Sequence, residues 1–147
     1  MNSLHDKAAI AGIGCTEFSK ASGRSELSLA SEAVVAAVTD AGLAPSEIDG
    51  LVSYTLDPTD EIEVARSVGA GDLTFFSKVN YGGGAAVGVV HQAVMAVATG
   101  QANNVVVYRA MNGRSGQRNG QGVSGQIVTS DLVHWSWYQV YGMLTPG

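Results

Sequence analysis

The stretch FFSKVNYGGGAAVGVVHQAVMAVATG, residues 75–100, decides how the rest of the chain is read. Its opening residues, with the β-favouring bulk of Phe75 and Phe76, predict a strand over 74–80. Gly82, Gly83 and Gly84 then force an abrupt turn. Beyond it, Ala85, Val89, Ala93, Ala96 and Val97 recur at helical spacing, and Gly100 stops the helix. The opposite face holds Val90, Val94 and Met95, so this helix is apolar nearly all round and is expected inside a larger body rather than on a surface. Strand-to-helix turns often hold a nucleophile or a phosphate cradle, yet no Cys, Ser or Lys stands at this tip. Two readings of the three glycines stay open. They leave bare N–H groups that hold negative charge at a helix N-terminus, or they only let helix and strand pack closely.

Working outward, the fragment NNVVVYRAM after the helix predicts a further strand. Its run of Val105, Val106 and Val107 is typical of a parallel strand covered on both faces. Before residue 75, the apolar run at 8–13 reads as a buried first strand and LVSYTL at 51–56 as a second, broken by Asp57-Pro58. Between them, Leu27, Ala30, Val34, Val38 and Ala41 form the stripe of a helix over 25–42, with Ser25 as its N-cap and Gly42 at its end. Pro45 opens a short helical piece. Residues 60–68 predict another helix, with Ile62, Val64 and Ala65 on its apolar side. The resulting β-α-β-α-β-α-β rhythm is that of an α/β layer fold.

The expected domain organisation is an α/β half over 1–111, then a glycine-rich loop and an aromatic segment over 112–147. The second part holds Arg114 and Arg118 and packs two Trp and two Tyr into its last eighteen residues. With 147 residues, 46% of them apolar, the chain is long enough for a real core. A formal charge of −5, with no Lys/Arg cluster, argues against a nucleic-acid surface. One Cys rules out an intrachain disulfide framework and suits a reducing cytosol. The N-terminal residues lack the pattern of a signal peptide, and no apolar run approaches the roughly 20 residues of a membrane span. A cytoplasmic location is the expectation.

Several familiar sites fail on spacing. Gly12-Ile13-Gly14 begins like a dinucleotide fingerprint, but Glu17 stands at the third glycine position. Gly83 to Gly88 has no Lys-Ser/Thr pair after it, which excludes a Walker phosphate loop. Cys15 reads as a small buried thiol at a strand end. His5, His91 and His134 are too scattered for a metal site; His91 reads as a core or interface histidine, and His134 beside Trp135 as a pocket residue. No metal is expected.

The fragments AAIAGIGCTEF, AVTDAGLAPSEIDGLV, YGGGAAVGVVHQAVMAVATGQANNVVVYRAM and YRAMNGRSG together resemble the N-terminal half of a thiolase-superfamily protein. The likeness runs through nearly the whole chain and is strongest to the lipid-transfer, sterol-carrier thiolase-like branch. It implies a layered αβαβα fold of which this chain supplies the first half. Counting back from ATGQANNVVV puts Gly83 where thiolases place their nucleophilic Cys. Gly83-Gly84-Ala85-Ala86 then stands in place of the Cys-Ala-Ser/Thr-Gly motif.

Without that thiolate no covalent acyl-enzyme forms at the turn, and Claisen thiolysis is closed. The matching branch contains aldolases that cleave a β-hydroxyacyl-CoA side chain from a steroid, working with a small zinc-ribbon/OB-fold subunit. What the resemblance implies is therefore a retro-aldol lyase with a CoA thioester as substrate and no resident cofactor. Gly82, Gly83 and Gly84 are expected to bind the thioester, with Tyr138, Tyr141 and His134 as candidate substrate-lining residues. No residue can be named as general base. A homodimer is expected through the edge strand FSKVNY. The competing readings are a non-catalytic acyl-CoA or lipid-binding module and, more remotely, a nucleotide-binding domain.

Overall fold

The computed structural model describes residues 4–54, 59–79 and 84–112. The chain divides into two units, residues 1–19 with 24–111 and residues 20–23 with 112–147. The fold below belongs to the first. Its elements run α1 (Glu26–Asp40), a 3-10 turn (Pro45–Glu47), β1 (Gly50–Tyr54), α2 (Glu61–Val68), β2 (Phe75–Val79), α3 (Ala85–Ala98) and β3 (Val105–Val107). The three strands form one parallel sheet in the order β2-β1-β3. Gly50 stands opposite Phe75 and Val105, and Val52 opposite Ser77 and Val107.

Strand alternation splits the core in two. Leu51, fully buried, joins Leu29, Ala30, Val34 and Val38 of α1 and Val64 and Ala65 of α2 on one face. Its neighbour Val52, also fully buried, meets Ala85, Val89 and Ala93 of α3 on the other. The result is a three-layer α/β/α arrangement, in which α2 and α3 are the crossovers that parallel neighbours require. Each fully buried aliphatic side chain at this centre contributes about 1.5–3 kcal/mol by leaving water.

Local chemistry follows the expectations for the helices. Ser25 caps α1 by accepting the Ser28 N–H at 3.2 Å, and the buried stripe is Leu29, Ala30, Val34 and Val38, with Leu27 only half-buried. At the other end of the sheet, Asp49 pins all three strands. Its carboxylate accepts the Asn103 N–H (2.9 and 2.8 Å), the Asn103 side-chain amide (2.8 Å) and the Asn104 N–H (2.7 Å). Its carbonyl accepts the N–H groups of Thr74 and Phe75 at the entry to β2.

Five expectations are corrected. Residues 8–13 form no strand: Ile10 is 80% and Ile13 76% exposed, and no described strand pairs with them. An apolar run becomes a strand only where another strand completes its ladder, and here the segment lies along α1 instead. Gly12 and Gly14 face that helix so closely that an added Cβ would sit 2.3 Å from the Ala37 and Ala33 carbonyl oxygens. Cys15, on the same segment, is exposed rather than buried. Ile62 is 51% exposed, leaving Val64 and Ala65 as the buried side of α2. Finally, His91 is exposed and is no core residue of this chain; around it Val87 (75%) and Val90 (40%) are exposed and Val94 and Met95 half-buried, an apolar outer face of the kind expected to pack inside a larger body. β3 is also shorter than expected, and its valines are half-buried at a sheet edge.

Candidate functional site at the carboxyl edge of the sheet

In open parallel sheets, ligands bind beyond the carboxyl ends of the strands, where loops leave and helices begin. Two features lie at that edge here, on opposite faces of the sheet. The first is the start of α3. Gly84 is its N-cap, with φ −65° and ψ −23°, and it is exposed. Its carbonyl accepts the N–H groups of Val87 and Gly88, both at 3.2 Å. No side chain caps this helix and no acidic residue lies in its first turn. By contrast, α1 has Ser25 and Glu26, and α2 has Glu61 and Glu63 in its first turn. The positive end of α3 is thus left uncompensated by its own side chains.

Gly84 separates the two readings of the glycine turn at one position. A Cβ added there meets nothing within 4 Å, and its φ is one that any residue adopts. Neither packing nor backbone strain demands glycine at Gly84. Gly82 and Gly83 lie outside the described residues, as do Tyr138, Tyr141 and His134, so among the candidate site residues the structure places Gly84 alone.

The second feature is a polar strap that sequence reasoning missed. Among the described residues, the buried polar side chains are Ser53, Thr59 and Glu61, and all three lie together. The Ser53 hydroxyl, on β1, donates to the Glu61 carboxylate at the start of α2. Thr59 Oγ1 lies 3.4 Å from the hydroxyl of Tyr108, which is buried just after β3. Lys78, on β2 opposite Ser53, donates to the Thr59 carbonyl (3.1 Å) and to Asp60 (3.2 Å). Residues 59–61 are therefore tied to the ends of all three strands. The available sequence signal was the dense polar run Thr59-Asp60-Glu61 straight after a strand break. Nothing in its spacing showed that Ser53, Lys78 and Tyr108 would converge on it.

Beside the strap, a groove of about 780 Å³ runs between α2 and β2, an edge strand among the described residues. Ile62, Leu73 and Phe76 are its large apolar lining residues, with Asp60, Glu61, Arg66 and Asp72 as charged members. Phe76 is 69% exposed. The Gly12-Ile13-Gly14 segment forms no part of this edge. Its glycine faces are filled by α1, which leaves no room there for a pyrophosphate. Among the described residues no group of three or more His, Cys, Asp or Glu could hold a metal ion, and no helix is long and apolar enough to cross a membrane.

No family model matches the chain. It is 58% identical over 148 residues to a steroid side-chain-cleaving aldolase of Thermomonospora curvata, covering 99% of this chain and 38% of that protein. It is 62% identical over 145 residues to a 17-hydroxy-3-oxo-4-pregnene-20-carboxyl-CoA lyase of Mycobacterium tuberculosis, covering 97% of this chain and 38% of that protein. The chain thus spans about two fifths of the length of the curated relatives it matches. Among solved structures, an Ltp2-ChsH2(DUF35) aldolase superposes with a TM-score of 0.82 at 56% identity, over 98% of this chain and 36% of that one. A monomeric SCP2-thiolase-like protein type 1 from Mycobacterium smegmatis gives 0.56 at 24% identity, over 67% of this chain and 22% of that one. The 3-oxoacyl-[acyl-carrier-protein] synthase III of Aquifex aeolicus gives 0.53 at 21% identity, over 65% and 32%. A parallel sheet between helical layers, with these structural neighbours, establishes the α/β fold of this chain as thiolase-like.

Proposed function

We propose that this chain is part of a carbon–carbon lyase that cleaves a β-hydroxyacyl-CoA side chain from a steroid by a retro-aldol reaction. The observation that carries this reading is identity of 58% and 62%, over nearly the whole chain, to two proteins named for that class of cleavage. The chemistry of the edge agrees. The only Cys, Cys15, lies on the segment along α1 and not between β2 and α3, so the turn offers no thiol for an acyl-enzyme. A retro-aldol step needs none. A base takes the β-hydroxyl proton, the C–O bond becomes a carbonyl, and the Cα–Cβ bond breaks. Its electron pair passes into the thioester enolate, which is then protonated to give a shorter acyl-CoA and a steroid ketone.

The part assigned to this chain is to hold the enolate oxygen. The uncapped N-terminus of α3, with Gly82, Gly83 and Gly84 before it, supplies N–H donors without side chains in the way. One well-placed donor is worth on the order of 2.7–4 kcal/mol in a transition state of this kind. Tyr138, Tyr141 and His134 remain proposed substrate-lining residues, and CoA enters as part of the substrate. Two partners are proposed. A partner subunit is supported by the likeness to the Ltp2-ChsH2(DUF35) aldolase, whose name joins two components, and the family resemblance makes it a small zinc-ribbon/OB-fold protein. A second copy is suggested by the exposed Phe76 on β2, an edge strand among the described residues.

The test is turnover of a 17-hydroxy steroid CoA thioester, with and without that subunit, followed by mass spectrometry of the quenched protein. Ketone and shorter acyl-CoA, with no acylated protein, are expected. Binding of the ester without turnover in the presence of the subunit would favour a lipid-binding module instead, and a trapped covalent acyl adduct would refute the mechanism.

A further inference from the structure

We infer that Glu61 and Ser53 are positioning residues for the chemistry at the carboxyl edge, acting through the strap that residues 59–61 form across the three strand ends. The inference rests on the retro-aldol reading above. Burying a carboxylate against a hydroxyl is a poor way to gain stability, because an apolar pair of the same shape serves as well or better. Yet the buried polar side chains among the described residues are gathered at this one edge, at the penultimate residue of β1 and at residues 59 and 61 beyond it. The register shows what they act on. Ser53 and Lys78 face one another one row before Tyr54 and Val79, the residues at which β1 and β2 end. Ser53 holds Glu61, Lys78 holds the Thr59 carbonyl, and Thr59 meets Tyr108 beyond β3. The last rows of β1 and β2 are therefore held by directional bonds as well as by the apolar packing of Val79, which alone tolerates sliding. Donors that must meet a developing charge need to be held to within about 0.5 Å, and a hydrogen-bonded strap supplies that constraint.

The experiment compares the wild type, Ser53→Ala and the double variant Ser53→Ala/Glu61→Met, each assayed with the partner subunit. The single variant leaves a buried carboxylate without its hydroxyl and is expected to lower Tm. The double variant removes both groups and is expected to restore it. Both are expected to lower kcat at least tenfold with KM within twofold of wild type. Recovery of kcat together with Tm in the double variant overturns the inference, since the pair then acts only on stability. Should the double variant not fold, Thr59→Val, which keeps the shape and removes the hydroxyl facing Tyr108, is read by the same kcat and KM criteria. A wild type that never turns the ester over defeats the retro-aldol reading and leaves the strap to be judged by amide exchange. At least tenfold faster exchange at Lys78 and Val79 in the double variant then sustains positioning, and unchanged exchange overturns it.

Discussion

Replacing Asp49 tests whether the sheet is held at its entry by one carboxylate. Asp49→Ala removes an acceptor that serves two backbone N–H groups, of Asn103 and Asn104, and the Asn103 side-chain amide. Hydrogen bonds to a charged acceptor contribute about 1.5–3 kcal/mol each when water cannot replace them. Asn103 is exposed and water takes over much of its share, whereas Asn104 is half-buried. A loss of about 2–3 kcal/mol follows for Asp49→Ala. About half of that is expected for Asp49→Asn, which keeps one acceptor oxygen but no charge. Burial alone would raise the Asp49 pKa, but the hydrogen bonds from Asn104 and Asn103 outweigh it and hold the carboxyl below its ordinary 3.8. A depressed folded-state pKa means that the contribution is complete above the unfolded value near 3.8 and fades as pH falls through the lower folded value. Urea denaturation at pH 7 and between pH 5 and 2 measures both effects. A variant as stable as wild type at neutral pH, or one whose deficit persists undiminished at pH 2, refutes the reasoning.

Four further outcomes are expected. Gly14→Ala forces a Cβ to within 2.3 Å of the Ala33 carbonyl and 2.4 Å of the Ala37 nitrogen, so the segment must withdraw from α1; a loss of about 1–3 kcal/mol in chemical denaturation is the measure. Gly84→Ala meets nothing within 4 Å and should change stability by less than about 1 kcal/mol, while crowding the α3 N-terminus and lowering turnover of the CoA ester. Leu51→Ala, at a fully buried site between α1, α2 and the sheet, should cost about 2–5 kcal/mol in the same denaturation assay. Phe76→Lys places a charge on β2, the edge strand proposed for the dimer, and sedimentation velocity should show it dissociating a dimer; a wild type that is already monomeric at micromolar concentration removes the dimer proposal.

The helices were legible because their signals are local. Ser25, Pro45 and Gly100 mark ends through their own caps and dihedrals, and the spacing of Ala85, Val89, Ala93 and Ala96 shows one face of α3 whatever surrounds it. The run LVSYTL, ended by Asp57-Pro58, likewise marked β1, and the missing thiol at the glycine turn was plain in the residue types. Strand formation, exposure and convergence are not local properties. Residues 8–13 have the composition of a buried strand, yet they lie exposed along α1, since a ladder requires a second strand that no short window contains. Ile62 has the hydropathy of a core residue, but the orientation of α2 on the sheet turned it outward. The strap at the carboxyl edge exists only because parallel pairing sets Ser53 beside Lys78 and brings Tyr108 under Thr59. Those contacts join residues up to 49 positions apart, a distance over which side-chain chemistry alone specifies no neighbour until the sheet has closed.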